Sequence, residues 1–365
     1  QWSLTASLRS FRTALIQSRV KAIKVRISLL ILMIFASAGY TMIDADFPGN
    51  LAGGAMEEKF SLNTSVSQKS DLPLWQRDRE TRATPHLGEG GCGAFGRERT
   101  LPVELATQSK YGGPVQLAGG KRTAASLRAF SIDPVWRAVR TLEPIAYQEG
   151  GGCALTIVAG WARSRALTVA STGDAQVTRG RMIAETATVI ADLGSDPLVA
   201  RDDRADIIAW LTEIGSDTII YFETSAGPKT RRNNHRFWAG LALAQIGRFT
   251  NNDGFVDWAE ETYNLGVCQI DENGMLPLEL DRGGYARNYH VYALRPLLAT
   301  QHVLEGLGRH PETHCPGAID RLRTTTTMAI ADDGFFERLT GLRQVALPDE
   351  NTYVSALRLN RLFVF

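Results

Sequence analysis

From Thr123 onward, apolar residues recur three and four positions apart in one segment after another, and this periodicity constrains the fold of the 365-residue chain more than any other feature. The segments are 124–147, 153–170, 175–193, 201–222, 237–246, 253–267, 293–307 and 319–330. Helix-breaking punctuation separates them. Gly150-Gly151-Gly152 precedes one, Ser171-Thr172-Gly173-Asp174 caps the next, and Ser195-Asp196-Pro197 parts the third from the fourth. Thr250-Asn251-Asn252-Asp253-Gly254 reads as a helix–helix turn. Asn251, Asp253 and Asp257 have only a faint likeness to a calcium loop, because the bidentate glutamate and the loop length are missing. No alternating β-branched run is bounded by hairpin turns, and no fixed repeat is visible. The expectation is an all-α fold, a bundle or toroid of antiparallel helices whose loops at one end gather polar residues.

The N-terminal third behaves differently. Arg19, Lys21, Lys24 and Arg26 precede an apolar run at 27–35, and Ala36-Ser37-Ala38 supplies the small residues of a cleavage site. The run is shorter than the roughly 20 residues of a membrane span. This predicts an exported chain, periplasmic or secreted, with no membrane span once the leader is removed near Ala38; a signal anchor, and after it a buried core helix, are the alternative readings of the run. From 39 to about 120 the sequence is rich in Gly, Ser, Pro and charge and carries no sustained period. The expected organisation is a leader with upstream residues at 1–38, an irregular linker at 39–84 and one globular domain at 85–365. A net charge of +1 argues against bulk nucleic-acid binding while leaving room for a local basic patch. Export makes disulfides plausible, but Cys92, Cys153, Cys268 and Cys315 allow three pairings and sequence does not choose among them. No CxxC pair is present, so no metal site is expected.

Two polar islands stand at the mouths of helices. The first is RRNNHRFWAG at 231–240, with two amides, an imidazole and three guanidinium groups before an apolar run. Asn233 taken alone is an ordinary N-cap. Asn234 and His235 invite more, since an amide beside an imidazole suits a carboxylate ligand and histidine can move a proton near neutral pH. The second island, RGGYARNYHVY at 282–292, offers Arg282 as a fork for a carboxylate and Tyr289 as a base and then an acid. Gly283-Gly284 makes an unbroken helix between them doubtful, so the two are expected to converge through a loop. Singly, Tyr289 and Tyr292 read as core aromatics with surface hydroxyls. No GxSxG elbow, HExxH helix or phosphate loop is present. Pro311 breaks any helix that would align His310 with His314-Cys315, and the carboxylates scatter over helix faces without a glycosidase-like pair.

Together the islands resemble polysaccharide lyase family 5, the poly(β-D-mannuronate) lyases. NNHRFWAG from Asn233, GVCQIDENGMLPLELDR from Gly266 and YHVYALRPL from Tyr289 carry the likeness, and His235 and Tyr289 stand 54 positions apart, as in the family. QSKYGG around Tyr111, CALTIVAGWARSRAL from Cys153 and DDGFFERLTGLRQ from Asp332 extend it more weakly. The GGYARN stretch between Arg282 and Tyr289 and the region around Cys92 depart from the family pattern.

The resemblance implies an (α/α) toroid, incompletely closed, with a deep substrate cleft and a lid loop, and a Cys92–Cys153 disulfide. It implies β-elimination at a 1,4-linked uronate, without metal or organic cofactor. Asn234, His235 and Arg282 would neutralise the carboxylate, and Tyr289 would take the C5 proton and protonate the leaving O4. Lys110, Tyr111, Arg231, Trp238 and Tyr292 are expected to contact the sugar, with Tyr111 on the lid. The expected partner is an acidic polysaccharide, and the protein is expected to be a monomer. Polyglucuronate and hyaluronan are rival substrates. A non-catalytic binder using Arg231, Arg232, Arg236 and Arg282 is the rival of another class.

Overall fold

Residues spaced for helix become helix along most of the chain. A computed structural model describes residues 101–107, 115–117, 120–122, 132–142, 145–146, 151–193, 201–311, 314–332 and 334–347. The expected leader and linker, Cys92, Lys110 and Tyr111 lie outside the described residues. The helices are α1 (Asp133–Arg140), α2 (Gly151–Arg163), α3 (Gly173–Leu193), α4 (Arg201–Ile220), α5 (Asn234–Thr250), α6 (Asp253–Val267), α7 (Pro277–Leu280), α8 (Ala286–Gly306), α9 (Ala318–Ala331) and α10 (Phe335–Thr340). Strands β1 (Glu104–Leu105), β2 (Val115–Leu117), β3 (Gly120–Arg122) and β4 (Val169–Ala170) form two small ladders, β1 parallel to β4 and β2 antiparallel to β3. Among the described residues, no helix is long and apolar enough to cross a membrane.

Helix α5 is the hub. From Arg236 to Gly247 every residue is buried, so an element this closed on all sides must be wrapped by others. Helices α3, α4, α6 and α8 pack around it. Glycines allow the closest approach. A Cβ on Gly240 would stand 2.7 Å from Thr262, and one on Gly247 would stand 2.7 Å from Val256. These pairings run in opposite directions along α5 and α6, so the two helices form an antiparallel hairpin. Its turn is built from asparagines. Asn251 sits in the left-handed region at φ 54°, and the Asn252 side chain accepts from the Phe255 N–H at 3.3 Å. The hub divides the core. Trp238 faces a large cluster with Trp161, Phe222 and Trp258, while Phe237 packs with Tyr263, Leu294 and Leu297.

Three departures from the periodicity have physical causes. The helix expected over 153–170 stops at Arg163, because Arg165 and Leu167 turn with φ of 53° and 57°. That turn buries Ala166 and Leu167, and the buried Arg179 guanidinium donates to the carbonyls of Leu167 and Thr168 at 3.3 Å. The chain then pairs as β4. Helix α4 does not end cleanly but passes into a π-helical turn, Tyr221–Ser225. Helix α8 starts at Ala286, earlier than its apolar pattern suggests, after a 3₁₀ turn at Gly283–Tyr285. Gly283 there has φ 58°, and a Cβ on Gly284 would stand 3.1 Å from the Arg343 carbonyl. The glycine pair admits the passing segment 343–346, which the Val345 N–H and the Gln344, Arg287 and Asn288 side chains pin to this turn.

Candidate active site

The N-terminus of α5 has its first free N–H groups satisfied by two side chains. Asn233 accepts from the His235 N–H at 3.1 Å, the expected cap. The Asn234 N–H donates instead to Glu279 Oε1 at 2.8 Å, and Asn234 Nδ2 donates to the same oxygen at 2.8 Å. Glu279 comes from α7, a single turn that Pro277 opens. Its other oxygen, Oε2, has no hydrogen bond and lies 3.5 Å from Arg282 Nε, an ion pair without hydrogen-bond geometry. Burial pushes the Glu279 carboxyl up from its ordinary range, and the Asn234 donors and Arg282 pull it back. One buried carboxylate therefore orients both Asn234 and Arg282. Asn234 Oδ1 is buried with no hydrogen-bond partner, an unspent polar atom of the kind that folded proteins rarely keep.

Arg282 turns its guanidinium over the Tyr289 ring, 4.6 Å from the centroid. The two meet through the glycine turn, Arg282 before it and Tyr289 in the first turn of α8. His235 lies close enough to Arg282 to feel its charge. Burial first, and Arg282 second, push the imidazole down to about 4, so it is neutral at neutral pH. This corrects the expectation of a histidine that titrates near neutrality.

A ladder of rings and cations continues from Tyr289. Its ring meets Tyr292 edge-on at 6.4 Å, and Tyr292 lies 5.2 Å from Trp238. Trp238, expected to touch sugar, is 1% exposed and packs behind Tyr292, Arg181 and Arg295. In this structure it backs the site instead of facing a ligand. Arg231 donates from Nε to the Ala226 carbonyl at 2.6 Å in the turn before α5.

Arg236 belongs to the fold. It is buried, pairs with Glu223 of the π turn at 2.9 Å, donates to Thr262 at 3.2 Å and stacks on Trp258. That removes it from the cations a binder could offer. The loop before α7 is equally committed. Gly274, at φ 75°, lies so near the Arg321 carbonyl that a Cβ would come within 2.5 Å. The buried His290 accepts the Leu276 N–H at Nε2 and therefore donates from Nδ1 to the Ala286 carbonyl. A Cys268–Cys315 disulfide joins the end of α6 to the approach to α9, which takes Cys315 out of any metal-ligand set. Cys153 is also disulfide-bonded.

The geometry unites Asn234, His235, Arg282, Tyr289 and Tyr292. It adds Glu279, which periodicity and composition did not single out. The signal was its place three residues before Arg282, the spacing of an i,i+3 ion pair.

A family model described as alginate lyase matches residues 121–336, more than half of the chain. The chain belongs to the alginate lyase family. A polysaccharide lyase of Stenotrophomonas maltophilia (strain K279a) is 33% identical over 144 residues, covering 40% of this chain and 43% of that protein. An alginate lyase of Cobetia marina is 32% identical over 153 residues, covering 41% and 40%. The matched segments thus span well under half the length of these curated relatives. Alginate lyase A1-III from Sphingomonas species A1 superposes with a TM-score of 0.61 at 16% identity, covering 77% of this chain and 85% of that one. A tyrosine-to-phenylalanine form of that enzyme has been solved with a tetrasaccharide, and it superposes with a TM-score of 0.62 at 16% identity, covering 80% and 86%. The helical hairpins wound about α5 are accordingly an (α/α) toroid that does not close into a barrel.

Proposed function

We propose that this chain is a lyase that cleaves β-1,4-linked polymannuronate, the polymer alginate, by β-elimination. The observation that carries the reading is the Arg282 guanidinium over the Tyr289 ring, beside a neutral His235 and an Asn234 held by Glu279. A uronate C5 proton is removable only when the adjacent carboxylate is neutralised. Arg282 and Asn234 supply charge and donors for that carboxylate, and fixed donors of this kind stabilise the enolate-like charge as it forms. The N-termini of α5 and α8 add their positive ends. Tyr289 takes the C5 proton, the C–H electrons form the C4=C5 double bond, and the C4–O4 bond breaks as O4 receives a proton from the same phenol. In β-mannuronate the C5 proton and O4 lie on one side of the ring, so one tyrosine reaches both. The family membership supports this reading.

The catalytic unit is residues 85–365, behind a leader at 1–38 and a linker at 39–84, exported to the periplasm or beyond and monomeric. Lys110 and Tyr111 are the proposed sugar contacts on the lid, and Cys92 is the proposed partner of Cys153.

The test is a panel of mannuronate-rich alginate, guluronate-rich alginate, polyglucuronate and hyaluronan, scored by absorbance of the unsaturated product. Fastest product from mannuronate-rich polymer is expected. Tyr289→Phe should lower turnover by roughly 10²–10⁴-fold while binding persists. Absence of product on every polymer overturns the reading, and normal activity in Tyr289→Phe removes that residue from the mechanism.

A further inference from the structure

Beyond Tyr292 the ladder of rings and cations reaches a group that the elimination chemistry does not use. The Arg181 guanidinium of α3 lies 4.8 Å from the Trp136 ring centroid, 5.0 Å from Tyr292 and 5.1 Å from Trp238. Four helices, α1, α3, α5 and α8, thus converge on one cation. Glu185, one turn along α3, meets it at Nε at 3.2 Å and fixes the plane of the fork. Arg140, exposed at the end of α1, places a second guanidinium 5.4 Å from the Trp136 centroid. Were this group only packing, an aliphatic core would serve. Instead Trp136 and Arg181 are both partly exposed, and Tyr292 joins them to Tyr289.

We propose that Arg181, with Arg140 beside it, is a second carboxylate-binding subsite, which holds a neighbouring uronate of the same chain while its partner lies at Tyr289. The inference rests on the polyuronate reading above. Its chemistry is independent of the elimination step. Partly exposed rings offer flat faces to sugar, and a pre-oriented guanidinium offers a planar fork to a carboxylate. Weak hydration of the guanidinium favours this over a lysine in the same place. A subsite that reads carboxylates fixes the register of the polymer and selects for adjacent uronates.

Calorimetric titration of an oligomannuronate of defined length into Tyr289→Phe protein reads binding without turnover. Adding Arg181→Gln should weaken affinity about tenfold, the loss of one charge-assisted contact. Arg181→Lys should recover part of that loss, and a carboxyl-reduced oligosaccharide should bind weakly and equally to all three proteins. In active protein, Arg181→Gln should raise KM more than it lowers kcat. Unchanged affinity in Arg181→Gln overturns the subsite, as does an equal affinity loss in the Gln and Lys variants accompanied by an equal drop in melting temperature. If the wild type yields no unsaturated product but Arg181→Gln still weakens binding, the lyase reading fails and the subsite stands. If the wild type neither binds nor reacts, both fall.

Discussion

The same dipeptide, Asn-Asn, stands at each end of α5, and the two pairs have opposite fates. Asn251 and Asn252 are spent on backbone geometry. One adopts the left-handed turn and the other accepts the Phe255 N–H that opens α6. At the other end Asn233 does the same work for the His235 N–H, but Asn234 lies inside the helix, buried, with its amide held by Glu279 and its oxygen unspent. An asparagine pair is punctuation when its polar atoms end on the backbone. It becomes a candidate site when one member is locked in place by a second polar residue and keeps a donor, here the second Nδ2 hydrogen, for a ligand. A capping energy of about 1 kcal/mol explains Asn233 and Asn252 completely. It does not explain Asn234, whose amide Glu279 turns so that Oδ1 stays open at a cost of about 1–3 kcal/mol while the second Nδ2 hydrogen is left to donate.

The largest effect that could break this contrast is at Asn234. Asn234→Leu should lower kcat by roughly 10²–10³-fold, the scale for losing one donor to a developing oxyanion. It should also depress the melting temperature, because buried Glu279 keeps the Asn234 N–H but loses the amide hydrogen bond. Steady-state assays with melting curves check both. Near-normal kcat would make Asn234 another structural asparagine.

Much of this was open to reading from the residues. The α5–α6 turn, with its caps, follows from Asn-Asn-Asp-Gly, and the bounds of α6 follow from its periodicity alone. The β4 turn did not, because Ala166 and Leu167 fit a helix as well as a strand and only tertiary burial decides. Gly283-Gly284 signalled a break, but what the break is for depends on segment 343–346, some 60 residues away in sequence. Arg236 and Arg282 look alike in the sequence. Glu223 and Glu279, at separations of 13 and 3, give one to the fold and the other to the site. Glu279 was hidden for the same reason. A carboxylate on a one-turn helix has the look of a solvated face until the helix is placed against α5.

A second, intermediate effect separates the half-buried His235 and the buried His290 from the ordinary histidine range. Burial pushes both His235 and His290 down to about 4. The unfolded chain, with imidazoles near 6.5, then binds more protons than the folded one between about 6.5 and 4, so stability falls as pH falls across that window. Each imidazole accounts for up to ~3 kcal/mol of that loss. Glu279 works in the opposite sense, since its raised carboxyl takes up a proton in the folded state before it does in the unfolded one. Melting temperature should therefore drop steeply on acidification from pH 6.5 to 4, and His290→Gln should flatten the slope by about half at some cost in stability. An unchanged slope in that variant would show that His290 takes up its proton in the fold as readily as in the unfolded chain. His235 should differ in one respect. Arg282 contributes to its shift and is absent from the causes at His290, where the Ala286 carbonyl opposes the burial.

The smallest expected effect tests the punctuation half of the contrast. Asn252→Ala removes the acceptor for the Phe255 N–H and should cost about 1 kcal/mol of stability, with kcat and KM unchanged. Asn251→Gly should stay within about 0.5 kcal/mol of the wild type, because glycine takes the φ of 54° without strain but gives up backbone entropy on folding. Both are read by chemical denaturation beside the lyase assay. The α5–α6 hairpin carries Trp238 and His235 on its other end, so a loss of turnover in either variant without loss of stability would mean that the turn transmits to the site. The rigid packing of Gly240 on Thr262 and Gly247 on Val256 argues against that, since a hairpin locked at two contacts between the turn and the site leaves little for the turn to move.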